Sequence, residues 1–176
     1  MQRRGFVGTT VEDVADHLDL TKAAFYYYLR NKEELLFEIA QQTLAIATER
    51  VSRIEGSVAG PREKLERIVD ALVRLVAERP AFFSVYFEEK EHLAPAHLRA
   101  VTARERGIVA TVERILRDGM SKRVFRRADE TVSAFIVFGM CFWTYKWYEA
   151  DGRLSLDDIS RSMQAAATQA FAKDPE

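Results

Sequence analysis

The sequence predicts an all-α protein. Glycine and proline are scarce, with 8 and 4 among 176 residues, so long stretches of chain are free of helix breakers. Apolar residues recur at the three- and four-residue spacing of amphipathic helices. Capping residues followed three positions later by an acid mark several helix starts. A hydrophobic content of 48% beside 30% charged residues is enough for a substantial core.

Three helix starts are crowded into the N-terminal region. Thr10 with Asp13 forms a capping box, and Asn31 with Glu34 forms another. Thr21 stands between them as a further capping residue. This spacing predicts a helix-turn-helix, in which two short helices are joined by a tight turn. A third helix follows it.

The second short helix carries more polar and aromatic side chains than a core contact requires. Phe25 and Leu29, four residues apart, are expected to face the protein. Small side chains let a helix approach base edges, and lysine and tyrosine suit phosphate oxygens. Flanking residues at the starts of the neighbouring helices would bind the DNA backbone on either side of this helix. The predicted DNA contacts are Thr10, Lys22, Ala23, Ala24, Tyr26, Tyr27 and Lys32. The alternative is that the tyrosines serve packing or a protein contact.

Residues 8–35 resemble the DNA-binding segment of the TetR family of bacterial transcriptional regulators. The match rests on Thr9-Thr10, on the segment 21–29 (TKAAFYYYL) and on the segment 32–35 (KEEL). The resemblance implies a DNA-binding domain over residues 1–46 and an effector-binding and dimerisation domain over residues 47–176. It also implies that the seven residues named above contact DNA.

The sequence departs from that family before the threonine pair. Family members carry a full helix there, whereas six residues, Met1–Phe6, precede Val7 here. We therefore expect the first helix to be largely missing apart from its final turn, through a misplaced start codon, truncation or decay. Loss of that cover would expose apolar surface, so an N-terminally extended chain is expected to melt at a higher temperature.

Beyond the helix-turn-helix the chain keeps a helical rhythm. One helix is predicted from Asn31 to about Glu55, and the segment 56–61 (GSVAGP) breaks it. Further helices are expected to end before Pro80, to begin at about Pro80, and to run from Pro95 to about Met120.

The last two helices predict a dimer. The run 132–145 (VSAFIVFGMCFWTY) holds no charge, is too short to span a bilayer, and must be covered on all sides. Asp129 caps its start, and Ser155 with Asp158 opens the next helix. Two such helices from each of two chains would form a four-helix interface, as the family resemblance also implies. Burial in the chain's own core is the alternative. The predicted interface residues are Leu156, Ile159, Met163, Ala166 and Ala170.

Aromatic residues concentrate in the C-terminal half, where they indicate either a plain core or a ligand pocket. The predicted pocket residues are Phe83, Tyr86, Phe87, Phe138, Phe142 and Trp143. Segments 78–92 and 139–154 resemble TetR regulators of fatty-acid, acyl-CoA and steroid catabolism. A Gly-x-x-x-Gly-x-Phe-Arg loop also appears, with Arg123 replacing its second glycine. This resemblance implies an acyl-CoA or other lipophilic effector, with Arg99, Arg104 or Arg106 as partners for its phosphates.

The remaining features assign no other chemistry. The net charge of −1 does not by itself indicate a nucleic-acid-binding protein, so any positively charged surface that binds DNA must be local. Cys141 is the single cysteine, which excludes an internal disulfide and suits a reducing cytoplasm. Glu88, Glu91, His92 and His97 could be interpreted as a metal cluster, but solvated side chains are the simpler interpretation, and we expect no metal and no cofactor. No nucleophile–base pair has credible spacing, so we expect no enzymatic activity and no membrane partner.

Together these observations predict a repressor that binds a palindromic operator as a dimer and is released by a lipophilic or acyl-CoA-type effector. The alternative is an N-terminally truncated helical dimer that binds a ligand or partner but not DNA.

Overall fold

The computed structural model describes residues 5–17, 21, 23, 26, 27 and 29–173, and these residues form helices joined by short connections. The observed bounds agree with the predicted starts and breaks to within a few residues. The helices are α1 (Val11–His17), α2 (Lys32–Glu55), α3 (Pro61–Glu78), α4 (Pro80–Glu89), α5 (Pro95–Ser121), α6 (Glu130–Phe142) and α7 (Leu156–Ala170), with 3-10 turns at Lys90–His92 and Trp143–Lys146.

The predicted caps begin these helices. The Thr10 hydroxyl accepts from the Asp13 amide at 3.0 Å, and the Asp13 carboxylate accepts from the Thr10 amide at 2.8 Å. The Asp129 carboxylate caps α6 through the Val132 amide at 2.9 Å. Each cap satisfies amide groups that the first turn of a helix leaves without a partner.

The second capping box differs in one partner. The Asn31 side chain accepts from the Glu34 amide at 2.8 Å, as predicted. The Glu34 carboxylate, however, accepts from the Arg30 amide at 2.5 Å rather than from Asn31. The start of α2 is unchanged by this shift of one residue.

Helix α3 lies at the centre of the larger domain. It packs against α2, α5, α6 and α7. Its buried apolar residues form one broad face of an amphipathic helix: Leu65, Ile68, Val69, Leu72, Val73, Leu75 and Val76. Among the described helices, none combines the length and apolar character that crossing a bilayer requires.

Phe125 anchors the turn that follows α5. Its ring is 3% exposed and lies edge-on to Phe171, with ring centroids 6.4 Å apart. A backbone bridge pairs Phe125 with Ala172. Gly119 permits this packing, because a Cβ there would lie 2.1 Å from the Phe125 ring.

We predict opposite effects for two glycine substitutions in α5. Gly119→Ala should lower the free energy of unfolding by about 1–3 kcal/mol, because the buried Phe125 ring must move. Gly107→Ala should raise it by up to about 1 kcal/mol, since a Cβ there meets nothing within 4 Å and alanine favours the helix. Urea unfolding followed by circular dichroism measures both, and equal effects would contradict the packing described here.

Candidate functional site

The helix-turn-helix surface presents part of the predicted DNA-contact set to solvent. Ala23 is exposed, and so are Tyr26 at 47% and Tyr27 at 82%. These three residues are helical. Lys22 and Ala24 lie outside the described residues. Thr10 is exposed, but its hydroxyl is engaged in the capping box, where it also donates to Asp13 at 2.9 Å.

The surroundings of Lys32 differ from those expected of a residue predicted to contact DNA. Its side chain is half-buried, and its ammonium donates to the Phe6 carbonyl. The same ammonium lies 4.2 Å from the centroid of the Phe6 ring. Lys32 therefore holds the segment before α1 against α2, and it is not presented to solvent as a free cation for DNA phosphates.

Glu33 joins the helix-turn-helix module to the larger domain, a role that sequence reasoning missed. Its Oε1 accepts from the Ala94 amide at 2.7 Å and lies 2.9 Å from His97 Nδ1. The His97 ring stacks on Phe37 with centroids 3.9 Å apart. The contact joins residues more than 60 positions apart in the chain, so no local sequence pattern could indicate it.

A second stacked pair supports the same junction. The Phe6 ring lies over the His92 ring, with centroids 4.9 Å apart. His92 belongs to the 3-10 turn that follows α4, directly before the start of α5. The junction therefore holds both the segment before α1 and the first turns of α2 on one short stretch of the larger domain.

A cavity of about 830 Å³ lies within the larger domain, between α2, α4, α5 and α6. All six residues predicted as a ligand pocket line it: Phe83, Tyr86, Phe87, Phe138, Phe142 and Trp143. Phe142 is the centre of the aromatic wall, with ring centroids 5.4–5.6 Å from those of Phe83, Phe87 and Phe138. The size and the mostly apolar lining are typical of small-molecule sites.

A polar corner interrupts the apolar wall. The Tyr86 hydroxyl donates to Glu105, and Lys90 Nζ donates to Glu105 Oε1 at 2.8 Å. Burial, together with the hydrogen bond to Glu105, raises the pKa of the Tyr86 hydroxyl well above its ordinary value, so this group remains a donor. Sequence reasoning found Tyr86 but missed Lys90 and Glu105, because helical periodicity does not indicate which polar side chains turn inward.

A second polar bridge stands at another edge of the cavity. Thr131 of α6 donates to Glu113 of α5 at 2.6 Å. Of the three arginines proposed as phosphate partners, Arg106 lines the cavity. Arg99 and Arg104 are exposed and are not among its lining residues.

The residues predicted for the dimer interface lie in two different environments within the chain. Ile159 is 5% exposed and lies in the chain's own core, against which Leu156 and Met163 also pack. Ala166 and Ala170 are exposed. The regular stripe on α7 therefore faces the chain's own α3 in part, because periodicity identifies an apolar face but not the element that covers it.

The uncharged part of helix α6, from residue 132 onward, also differs from the expectation of cover on all sides. Within this chain Val132, Phe135, Ile136 and Trp143 are 51–60% exposed. Their spacing places them along one face of the helix and its 3-10 continuation. This face, named the α6 face below, is a contiguous apolar surface that the described residues leave uncovered.

The remaining candidate residues have structural partners. Cys141 is fully buried, and burial raises the pKa of its thiol to about 12. Glu88 accepts from Lys146, and His92 lies 3.5 Å from Glu89. No cluster of three potential metal ligands occurs within the part of the chain that the structure describes.

Comparison with known families agrees with this architecture. Residues 1–39 match the description "Bacterial regulatory proteins, tetR family", and residues 58–171 match "Tetracyclin repressor-like, C-terminal domain". The chain belongs to the TetR family. It is accordingly an all-α TetR-family transcriptional regulator with an N-terminal helix-turn-helix and a C-terminal helical domain.

Individual members of the TetR family are similar over most of the chain. The transcriptional repressor KstR2 of Mycolicibacterium smegmatis is 24% identical over 164 residues, covering 92% of this chain and 80% of that protein. The regulator PfmR of Thermus thermophilus superposes with a TM-score of 0.88 at 27% identity, covering 94% of this chain and 91% of PfmR. AibR, solved with isovaleryl coenzyme A and operator DNA, has a TM-score of 0.82 at 30% identity, covering 94% and 90% of the two chains.

Proposed function

We propose that this TetR regulator is a repressor that binds a palindromic operator as a dimer and is released by an acyl-CoA-type effector. One observation carries the proposal: helix α2 begins in the helix-turn-helix and then lines the cavity through Thr43, Leu44 and Ala47. A single rigid element is therefore shared by the surface proposed to read DNA and the space proposed to hold the effector. We place the division between the two domains near residue 46, within α2.

The DNA side of the proposal rests on the exposed face of the second short helix. Ala23 brings no bulk between the backbone and a base edge, and Tyr26 and Tyr27 offer hydroxyls to phosphate oxygens. Helix α1 precedes this face in the chain and begins at the capped Thr10. We assign contacts with the DNA backbone to these two tyrosines on the basis of their exposure.

Dimerisation follows from the small size of this surface. A single short helix supplies few contacts, whereas two copies about 34–36 Å apart read two half-sites of one palindrome. The α6 face is the surface best suited to pair the chains, because an exposed contiguous apolar patch marks an interaction site. The exposed alanines of α7, Ala166 and Ala170, would border this interface.

The effector side rests on the cavity and its polar corner. An acyl chain of about ten carbons fits a space of about 830 Å³ lined by aromatic rings. The Lys90 ammonium keeps N–H donors beyond the one given to Glu105 and can bind a polar group of the effector. The complex of AibR with isovaleryl coenzyme A supports this choice of chemical class.

Release would follow from linkage between the two sites. An effector that favours a spacing of the two modules unsuited to DNA lowers operator affinity, and by reciprocity the operator lowers effector affinity. The Glu33 contacts with Ala94 and His97 are the path by which movement near Lys90 and the start of α5 reaches the helix-turn-helix.

The first prediction concerns DNA. Tyr27→Phe should weaken binding to a duplex from the region upstream of the gene by roughly tenfold, because one hydrogen bond to a charged phosphate is lost. Tyr148→Phe, remote from the module, is the control and should bind as wild type. Fluorescence anisotropy measures both affinities. Amide resonances of Ala23, Tyr26 and Tyr27 that stay unmoved on adding this duplex would instead favour the DNA-silent alternative.

The second prediction concerns the effector. Decanoyl-CoA at about one hundred times its dissociation constant should stabilise the protein by ~2.7 kcal/mol and release the duplex. Val109→Phe should abolish both effects, since Val109 lines the cavity and the added ring fills it. Val58→Phe, at a fully exposed position, is the matched control. A thermal-shift screen in which no acyl-CoA stabilises the wild type would overturn the effector assignment.

The third prediction concerns the dimer. Ile136→Glu should convert the protein to a 20.2 kDa monomer, because the interface would otherwise bury an unpaired carboxylate. The position is 51% exposed within the chain, so the fold itself should persist. Val58→Glu introduces the same charge elsewhere and should remain dimeric. Sedimentation equilibrium at micromolar concentration decides, and a monomeric wild type would exclude this interface.

A further inference from the structure

A second concave site lies at the C-terminal end of α5, at the opposite end of that helix from the Glu33 junction. This basic hollow, of about 520 Å³, is floored by Met120 and Phe125. None of the lining residues that the structure describes is acidic. Five of them are basic: Arg117, Arg123, Arg126, Arg127 and Lys173. Cations placed this close repel one another, so the arrangement favours a bound anion.

Three of the arginines, Arg123, Arg126 and Arg127, have no carboxylate partner among the described residues. Arg117 pairs with Glu130 at 2.7 Å, and Arg126 Nε donates to the Ala170 carbonyl at 3.0 Å. Arg123 and Arg127 form no ion pair with any residue that the structure describes. Guanidinium groups held together without acids match the geometry of phosphate oxygens, which they bind through paired hydrogen bonds.

Arg123 occupies a backbone position that disfavours it. Its φ of 58° lies in the left-handed region, where residues with a Cβ are strained and glycine is not. The turn is held by the Arg123 amide donating to Met120 and the Val124 amide donating to Gly119. This is the position where the family loop described above carries glycine. A strained arginine retained at such a turn points to a role for its side chain.

The hollow adjoins the cavity along the same face of α5. Glu113 lines the cavity, and Arg117 and Met120, four and seven residues later, line the hollow. The rise between Glu113 and Arg117 is about 6 Å. Helix α6 is shared in the same way, because Thr131 lines the cavity while Glu130 binds Arg117.

We propose that the basic hollow binds the phosphate groups of an effector whose acyl portion occupies the cavity. This inference rests on the function proposed above. The pantetheine arm of coenzyme A would pass over the Glu113–Thr131 and Arg117–Glu130 bridges, and its phosphates would meet Arg123 and Arg127. The proposal moves the phosphate partners away from Arg99 and Arg104, which line neither space.

The test compares three probes by isothermal titration calorimetry: decanoyl-CoA, decanoate and coenzyme A. The double variant Arg123→Gly/Arg127→Gln should lose about one hundredfold in affinity for decanoyl-CoA and for coenzyme A. Its affinity for decanoate should equal that of the wild type. Arg99→Gln/Arg104→Gln removes the same amount of charge from α5 and should bind all three probes as the wild type does.

Stability separates a lost contact from a damaged fold. Arg123→Gly relieves the left-handed strain, so the melting temperature of this single variant without ligand should be unchanged or raised. A lower melting temperature accompanied by equal losses for decanoate and decanoyl-CoA would overturn the assignment, because it would show a structural role for Arg123.

The outcomes also separate this inference from the proposed function. Equal binding of decanoyl-CoA by the wild type and the double variant would overturn the assignment of phosphate binding to the hollow. It would leave the assignment of the effector to the cavity unaffected. Coenzyme A could bind in a way that depends on Arg123 and Arg127 while decanoyl-CoA fails to release the operator. That result would support phosphate binding in the hollow and contradict the proposed release mechanism. If decanoate binds and neither coenzyme A nor decanoyl-CoA does, the assignment of phosphate binding to the hollow is wrong.

Discussion

The structure depends on the carboxylate of Glu33, which ties the beginning of α2 to the beginning of α5. One oxygen accepts from the Ala94 amide and lies beside the His97 ring, which itself stacks on Phe37. These contacts fix where the helix-turn-helix stands relative to the domain that contains the cavity. Together with the stacked Phe6 and His92 rings, they connect the helix-turn-helix to the larger domain by a route other than the length of α2.

Helix α5 has the complementary role. Its first turn meets Glu33, its middle lines the cavity, and its last turns form the basic hollow. Three different environments therefore lie along 27 residues of one continuous helix. Any displacement of the middle or the end of α5 would therefore act on the same helix whose first turn contacts Glu33.

One set of aromatic residues both packs against the core and lines the cavity. The rings of Phe83, Phe138 and Phe142 pack against one another and join the core, yet they leave open space on one side. The polar corner then supplies direction. Glu105 accepts from both Tyr86 and Lys90 and holds them in place, and the Lys90 ammonium retains further N–H donors within a mostly apolar wall.

Sequence reasoning succeeded where the signal is local. The caps at Thr10, Asn31 and Asp129 and the breaks before Pro61 and Pro80 placed most helix boundaries, because each depends on a few neighbouring residues. It also identified six of the eight aromatic residues that line the cavity, and it omitted Phe135 and Tyr145. It missed the Glu33 junction and the Glu105 corner, whose partners lie far apart in sequence. It misplaced Ile159 because an apolar stripe does not reveal its neighbour.

The burial of Cys141 has a practical consequence for measuring how these parts move. The chain holds one cysteine, and that thiol is enclosed in the core with its ionisation shifted to strongly alkaline conditions. Maleimide dyes and nitroxide spin labels react with thiolates that reagents can reach. An added cysteine at a surface position would therefore be labelled selectively without altering the native sequence elsewhere, so that spectroscopic distance measurements need no removal of Cys141.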